Sequence, residues 1–330
     1  MKKLYLSLFF NVVVVSCAIL FVNLNSQFSS ESANKRKIAI LLPVSHPSLE
    51  KIKQGFIDSI KQANCGEFSF DVFNGNGNRS LMMMQAKQVI SEKYDLIVPI
   101  TTVTAQLVKE FSAKINKNVP VVYSGVSYPL HAGIIKSIEN SGNNFTGVFD
   151  SVPNDKQIEY LLALKPDVKN ILLVYHPDLE DQKNEIQQIT NAKNLNLKLL
   201  KVFSPNEIFE KISSALHEVD VVFVLKDNTV VSAIDALIKL CNRNNITLLV
   251  SDLDSVEKGA AIGFGVSEYN IGVSTAKKAV EILQKGKKPS QIPSSLAEGF
   301  KLKINSKVAA QQGLVLDAKL FLLMQNSEII

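Results

Sequence analysis

Cysteine is scarce in this 330-residue chain, and the three present, Cys17, Cys65 and Cys241, form no CxxC and no Cys/His pair at ligand spacing. That argues against a zinc site and against a disulfide scaffold, and Cys65 and Cys241 are expected to stay unpaired. A large excess of charge of one sign is also missing. The net charge of +5 is small for this length, and Lys and Arg are scattered without forming a block, so nucleic-acid binding gains little support. There is no GxSxG elbow, HExxH pair or Cys/His set, so an exported α/β enzyme would lack its nucleophile or metal set, and neither catalysis nor a metal is expected. The dinucleotide fingerprint is incomplete too. Asn74-Gly75-Asn76-Gly77-Asn78 follows an apolar strand and precedes a helix, but Ser80 stands where the third glycine belongs, and no acidic residue closes a second strand about 20 residues later. No cofactor is expected. Gly and Asn accept positive φ cheaply, so this stretch reads as a tight turn whose asparagines could face the cleft.

What the chain does have is bulk and repetition. With 46% hydrophobic and 20% charged residues it can bury a large core, and its length suggests about two domains. A β-branched apolar run ending in a short polar cluster that opens a helix recurs in IAILLPVSHPSLE (38–50), DLIVPITTVTAQ (95–106), ILLVYHPDLEDQ (171–182), DVVFVLKDNTVVSA (220–233) and ITLLVSDLDSVEKG (246–259). Strands alternating with helices form parallel sheets, and open parallel sheets bind ligands beyond the carboxyl ends of their strands. Helices are predicted at 48–63, 80–92, 103–115 and near 130–139, and the series restarts near Asp150 with 154–164, 180–193, 206–216, 229–243 and 270–285. The expected architecture is α/β: two doubly wound, Rossmann-like lobes with a ligand cleft between them. Ile52, Phe56 and Ile60, and Val89 and Ile90 beside Met83 and Met84, lie at core spacing.

The N-terminus reads as a targeting segment. Lys2 and Lys3 precede an apolar stretch from Leu4 to Leu24, followed by polar NSQFSSESANKRK, the profile of an export signal that places the mature protein in the periplasm or on the outer face of the cytoplasmic membrane. The stretch would span about 31 Å as a helix, so an uncleaved anchor is the alternative. Val14-Val15-Ser16-Cys17 also looks like a lipoprotein processing box, although AILFV continues the apolar run after Cys17.

The polar clusters supply the candidate site. Thr101, Thr102 and Thr104 lie where the strand LIVPI meets a helix, where backbone amides, hydroxyls and the helix dipole suit a carboxylate or phosphate; a plain N-cap is the alternative. Asp227-Asn228-Thr229 and Ser251-Asp252 with Asp254-Ser255 end two strands of the second lobe, and their acids could bind an ammonium or serve as caps. Opposed anion and cation sites fit a zwitterion. His46 and His176 occupy equivalent turns of the two lobes, where each could donate into the cleft or be an ordinary loop residue.

These motifs resemble, in order, the ABC transporter substrate-binding family linked to tryptophan and tyrosine uptake: SHPSLE with KQGFIDSI, NGNGN, TTVTAQ, PVVYSGVSYPLHAGII, NFTGV, LKDNTVVSA, VSDLDSVEKGA and GVSEYNIG, over roughly 37–315. The resemblance implies a type I periplasmic-binding-protein fold with three crossings between lobes, no enzymatic activity, monomeric form, and an ABC permease as partner in amino-acid transport. Residues 1–36 would be signal or anchor plus linker, lobe one 37–147 with 252–287, and lobe two 148–251 with 288–330. The implied ligand contacts are Ser45, His46, Asn76, Thr101, Thr102, Thr104, Ser127, Tyr128, Asp150, Tyr175, Asp227, Asn228 and Asp252. The chain departs from the pattern at Ser127-Tyr128-Pro129, where relatives commonly read TDP, and at Ser267-Glu268, where they often carry an Asp. Both departures fall at the expected cleft and bear on which ligand fits. A membrane-anchored sensing ectodomain of the same fold is the alternative function.

Overall fold

The computed structural model describes residues 35–64, 66–116, 118–314, 316 and 327–329, and of Asn228 the backbone only. The targeting segment 4–24, Cys17 and Cys65 lie outside the described residues. Apolar runs of four to seven residues become most of the central strands. In the first half these are β1 (Arg36–Leu42), β2 (Phe68–Asn74), β3 (Leu96–Pro99), β4 (Val121–Ser124) and β5 (Phe145–Phe149), alternating with helices α1 (Pro47–Gln62), α2 (Arg79–Ser91) and α3 (Thr102–Lys114). The second half repeats the plan. Helix α4 (Asn154–Leu164) leads to β6 (Asn170–Tyr175), α5 (Glu180–Ala192), β7 (Asn196–Lys201), α6 (Ile208–Ala215), β8 (Val221–Val224), α7 (Asn228–Val231), α8 (Ile234–Asn244), β9 (Thr247–Val250), α9 (Asp254–Lys258) and β10 (Ile262–Gly265). Helix α10 (Glu268–Leu283), strands β11 (Ser295–Leu296) and β12 (Lys301–Ile304), helix α11 (Ser306–Gln311) and strand β13 (Ser327–Ile329) follow.

The strands form two sheets, β11-β5-β4-β3-β1-β2 and β13-β12-β10-β9-β8-β6-β7, with every pairing parallel except β10 with β12. The order β2-β1-β3-β4-β5 recurs as β7-β6-β8-β9-β10, so each lobe has one switch point, at β1/β3 and at β6/β8. Both faces of each sheet are covered, as parallel strands require. Along β1, Ile38, Ile40 and Leu42 face the cluster holding Phe56, Ile60 and Ala279, while Ala39 and Leu41 face the one holding Ala86, Val89 and Val108. This is the two-residue alternation of a strand buried on both sides.

Helix α1 illustrates how local sequence sets an element. Pro47 suits the first turn, the His46 side chain accepts from the Ser48 amide at 3.3 Å, and Ile52, Phe56 and Ile60 recur on one buried face. That face meets α10 at two glycines. A methyl group at Gly55 would fall on the Tyr269 carbonyl oxygen, and one at Gly272 on the Ile52 carbonyl oxygen. The two backbones therefore touch.

Four expectations need correction. The helix near 130–139 is a series of turns, with Gly133 at φ +66° breaking any helical run. Of the methionines, Met82 is buried whereas Met83 and Met84 are exposed, because α2 turns Met82, Ala86, Val89 and Ile90 toward the sheet. Strand β10, assigned to lobe one, pairs with β9 and β12 in the second sheet. Strand β11, assigned to lobe two, pairs with β5 in the first. Dividing the chain by its sheets puts the crossings near Asp150, near Val266 and Ser267, and between Ala297 and Phe300.

Cys241 is fully buried on α8 and unpaired, and burial pushes its thiol up to about 12. An alkylating agent at neutral pH should leave it untouched in the native protein and label it once denaturant is added. Thiol titration by mass spectrometry checks this; rapid native labelling would contradict the packing of α8.

A candidate ligand cleft between the lobes

In a parallel sheet every carboxyl end points the same way, so the expected site residues gather along two edges. Ser45 and His46 follow β1, Asn76 follows β2, Thr101, Thr102 and Thr104 follow β3, Ser127 and Tyr128 follow β4, and Asp150 follows β5. On the second sheet Tyr175 ends β6, Asp227 and Asn228 follow β8, and Asp252 follows β9. Three contacts show that the edges face each other. Lys51 on α1 lies 3.8 Å from Asp254 on α9, and His131 beyond β4 lies 3.3 Å from Asp181 on α5. Lys226, beyond β8, reaches Asp150 at 2.6 Å and Glu268 at 3.2 Å.

That last cluster sits at the floor, where one crossing leaves the first lobe and another enters it. The Asp150 side chain is 8% exposed, that of Glu268 18% and that of Lys226 31%. Burial pushes Asp150 upward, but the Lys226 ammonium and hydrogen bonds from Lys226 and Ser127 outweigh it and hold the carboxyl below its usual range. For Lys226, burial works against the charge and the two acids overcome it, so its ammonium titrates above the ordinary lysine range. Glu268 is raised, burial outweighing the help it receives from Lys226.

The other residues differ in what they have left to offer a ligand. Asp227 accepts from the His176 amide at 2.6 Å and from the amides of Thr229 and Val230, tying the β6/β8 switch point to the start of α7. Asp252 accepts from the Ser255 amide at 2.7 Å and hydroxyl at 2.8 Å, yet burial still raises it. Both act as caps here, the alternative raised by their position in sequence. Thr104 turns inward, donating to the carbonyls of Ile100 and Thr101. Thr101 has φ +82° and ψ 162°, a region costly for a β-branched residue, and its buried hydroxyl has no hydrogen-bond partner among the described residues.

Ser127 donates to Asp150 at 3.0 Å, and the Tyr128 hydroxyl is raised by burial and by Glu185, Asp150 and Asp181. Tyr175 packs into the second-lobe core, with Lys201 over its ring at 5.9 Å, and its hydroxyl is pushed up to about 12 by burial and Glu180. Ser45 and His46 are exposed and engaged in the α1 cap, Ser45 donating to Glu50, and Asn76 turns at φ +50°. Sequence reasoning missed Lys226 and left Glu268 outside its contact set. The trace of Lys226 in the sequence is only a basic residue between the apolar run VVFVL and the helix-opening DNT, which does not by itself mark a site. No group of three or more His, Cys, Asp or Glu side chains placed to hold a metal occurs among the described residues.

Comparison with known proteins gives the family and the fold. The profile of the family described as "ABC transporter substrate binding protein" matches residues 37–327. The chain belongs to that family. It is a family of solute-binding proteins, not enzymes, that acts outside the cytoplasm with a membrane permease. A protein of Clostridioides difficile named "Tyrosine-binding protein" is 29% identical over 287 residues, covering 85% of this chain and 82% of its own. A Streptococcus pneumonia ABC domain solved in complex with L-Trp is 28% identical with a TM-score of 0.75, over 90% of this chain and 100% of that one. A ligand-free, open substrate-binding protein with adhesive properties from Clostridium difficile is 26% identical with a TM-score of 0.77, over 89% and 99%. The fold is that of the periplasmic binding proteins.

Proposed function

We propose that this family member is the receptor of an importer, taking a zwitterionic amino acid with an aromatic or apolar side chain between its lobes and passing it to an ABC permease. The observation that carries the reading is the presence along one cleft of two unlike clusters, one suited to an anion and one to a cation. On the first lobe, α3 begins with free amides beside the buried Thr101 hydroxyl, suited to a carboxylate. Along the same edge Asp150 and Glu268 hold one lysine that comes from the second lobe, and Asp252 follows β9 across the cleft, a surplus of negative charge suited to an ammonium. The names of the two relatives, one tyrosine-binding and one holding L-Trp, favour the same ligand class. Ser127-Tyr128 and Ser267-Glu268 lie on that floor, so they bear on which amino acid is chosen. The contributions of Thr102, Asn228 and the other implied contacts belong to this proposal, as does export by the segment 4–24.

Closure follows from the arrangement, because only a closed form lets a small ligand touch both edges. Titration calorimetry against the common amino acids should give one site per chain with a dissociation constant on the order of micromolar, about 8 kcal/mol. Binding of sugars alone would overturn the proposal. Small-angle scattering should show a smaller radius of gyration once ligand is added.

A further inference from the structure

A lysine already stands where the cleft concentrates its negative charge. The Lys226 ammonium lies 2.6 Å from Asp150 and 3.2 Å from Glu268, and Ser127 holds the second oxygen of Asp150 at 3.0 Å. The two acids belong to different crossings: Asp150 follows β5, and Glu268 opens α10, which is locked to α1 by backbone contact at Gly55 and Gly272. Their carboxylates are therefore fixed by the scaffold. The lysine arrives from the other lobe on a flexible four-carbon stem, with about a third of its side chain in contact with solvent. Its head group carries one positive charge and three N–H donors, the same inventory as the α-ammonium of an amino acid. Two acids against one lysine also leave a residual negative charge to draw such a ligand in.

We propose that Lys226 is a tethered surrogate for the ligand's ammonium group, setting the affinity and selectivity of the cleft by competing with it for Asp150 and Glu268. The inference rests on the amino-acid reading above and adds a residue that sets specificity. A competitor that holds the acids most of the time lowers apparent affinity by the fraction of time they are free; if Lys226 holds them nine-tenths of the time, removing it tightens binding about tenfold. The gain should be confined to ligands that bring an ammonium.

The test compares the full chain with Lys226→Met, and with Lys226→Gln should the Met variant fail to fold, using calorimetry against L-tyrosine, L-tryptophan and their des-amino acids. The expected result is about tenfold tighter binding of the amino acids with no gain for the des-amino acids. Unchanged or weaker amino-acid binding overturns the inference, since Lys226 would then be a fixed strut or a contact to the ligand's carboxylate. Equal gains for both ligand types overturn it as well. A second arm separates this inference from the reading it rests on: methylammonium, with sodium at equal ionic strength as control, should raise the melting temperature of Lys226→Ala but not of the wild type. If no amino acid binds any form while that shift appears, the amino-acid reading fails and the surrogate role stands. If the shift is absent too, both fail.

Discussion

Replacing Asp150 by alanine is expected to lower the folding free energy by about 3 kcal/mol, because it strips a partly buried ammonium of its nearer partner. Lys226 would keep Glu268, at 3.2 Å rather than 2.6 Å, and still meets some solvent, which holds the cost at the low end for a broken buried pair. Ser127→Ala removes only the 3.0 Å hydrogen bond to the same carboxylate and should cost about 1 kcal/mol. Urea unfolding of the two variants beside the wild type checks the ranking, and equal stability of Asp150→Ala and wild type would sink it.

The pH dependence has a defined sign. Asp150 is held below its usual range in the folded protein, so its contribution is fully present above the ordinary carboxylate pKa of about 4 and is lost as pH falls through the lower, folded value. Glu268 works the other way, since burial raises it and protonation on acidification relieves a penalty. The acid-induced loss of stability should therefore be shallower in Asp150→Asn than in the wild type and steeper in Glu268→Gln.

The strand-to-helix junctions were legible in sequence because their causes are local. A β-branched run, a polar cluster and an apolar helical stripe lie within about 15 residues of one another, and parallel pairing then gathers the clusters without further information. What each polar residue does with its atoms was not legible. Asp227 engages the His176 amide, 51 positions away, and Thr104 turns its hydroxyl back onto Ile100; neither choice is written in DNT or TTVT. Lys226 and Glu268 escaped for the same reason, since a lysine beside DNT acquires meaning only when two crossings bring Asp150 and Glu268 against it. The crossings themselves were misplaced because β10, with two glycines in IGFG, and β11, two residues long, carry little pattern to say which sheet they join.

A single methyl group at Gly272 should damage both stability and binding. In a helix interior, alanine is ordinarily favoured over glycine by about 1 kcal/mol. Here the added carbon would land on the Ile52 carbonyl oxygen and within 2.6 Å of the Phe56 amide nitrogen, groups of the α1 backbone that cannot rotate aside. The two helices must part, loosening the shared packing of Ile52, Phe56, Ile271 and Ala276, and the net cost expected for such overpacking is about 2–3 kcal/mol. Glu268 lies one turn earlier on the same helix, so parting also draws its carboxylate away from the cleft floor, and ligand affinity should fall with stability. Ile212→Ala provides the control: it empties a buried position on α6, on a face of the second sheet away from α1 and α10, and should cost a similar 2–5 kcal/mol while leaving affinity unchanged. Thermal unfolding and calorimetry on the two variants separate the outcomes. A Gly272→Ala protein as stable as the wild type would mean that helix propensity outweighs the clash, and one that loses stability but keeps full affinity would detach Glu268 from ligand binding.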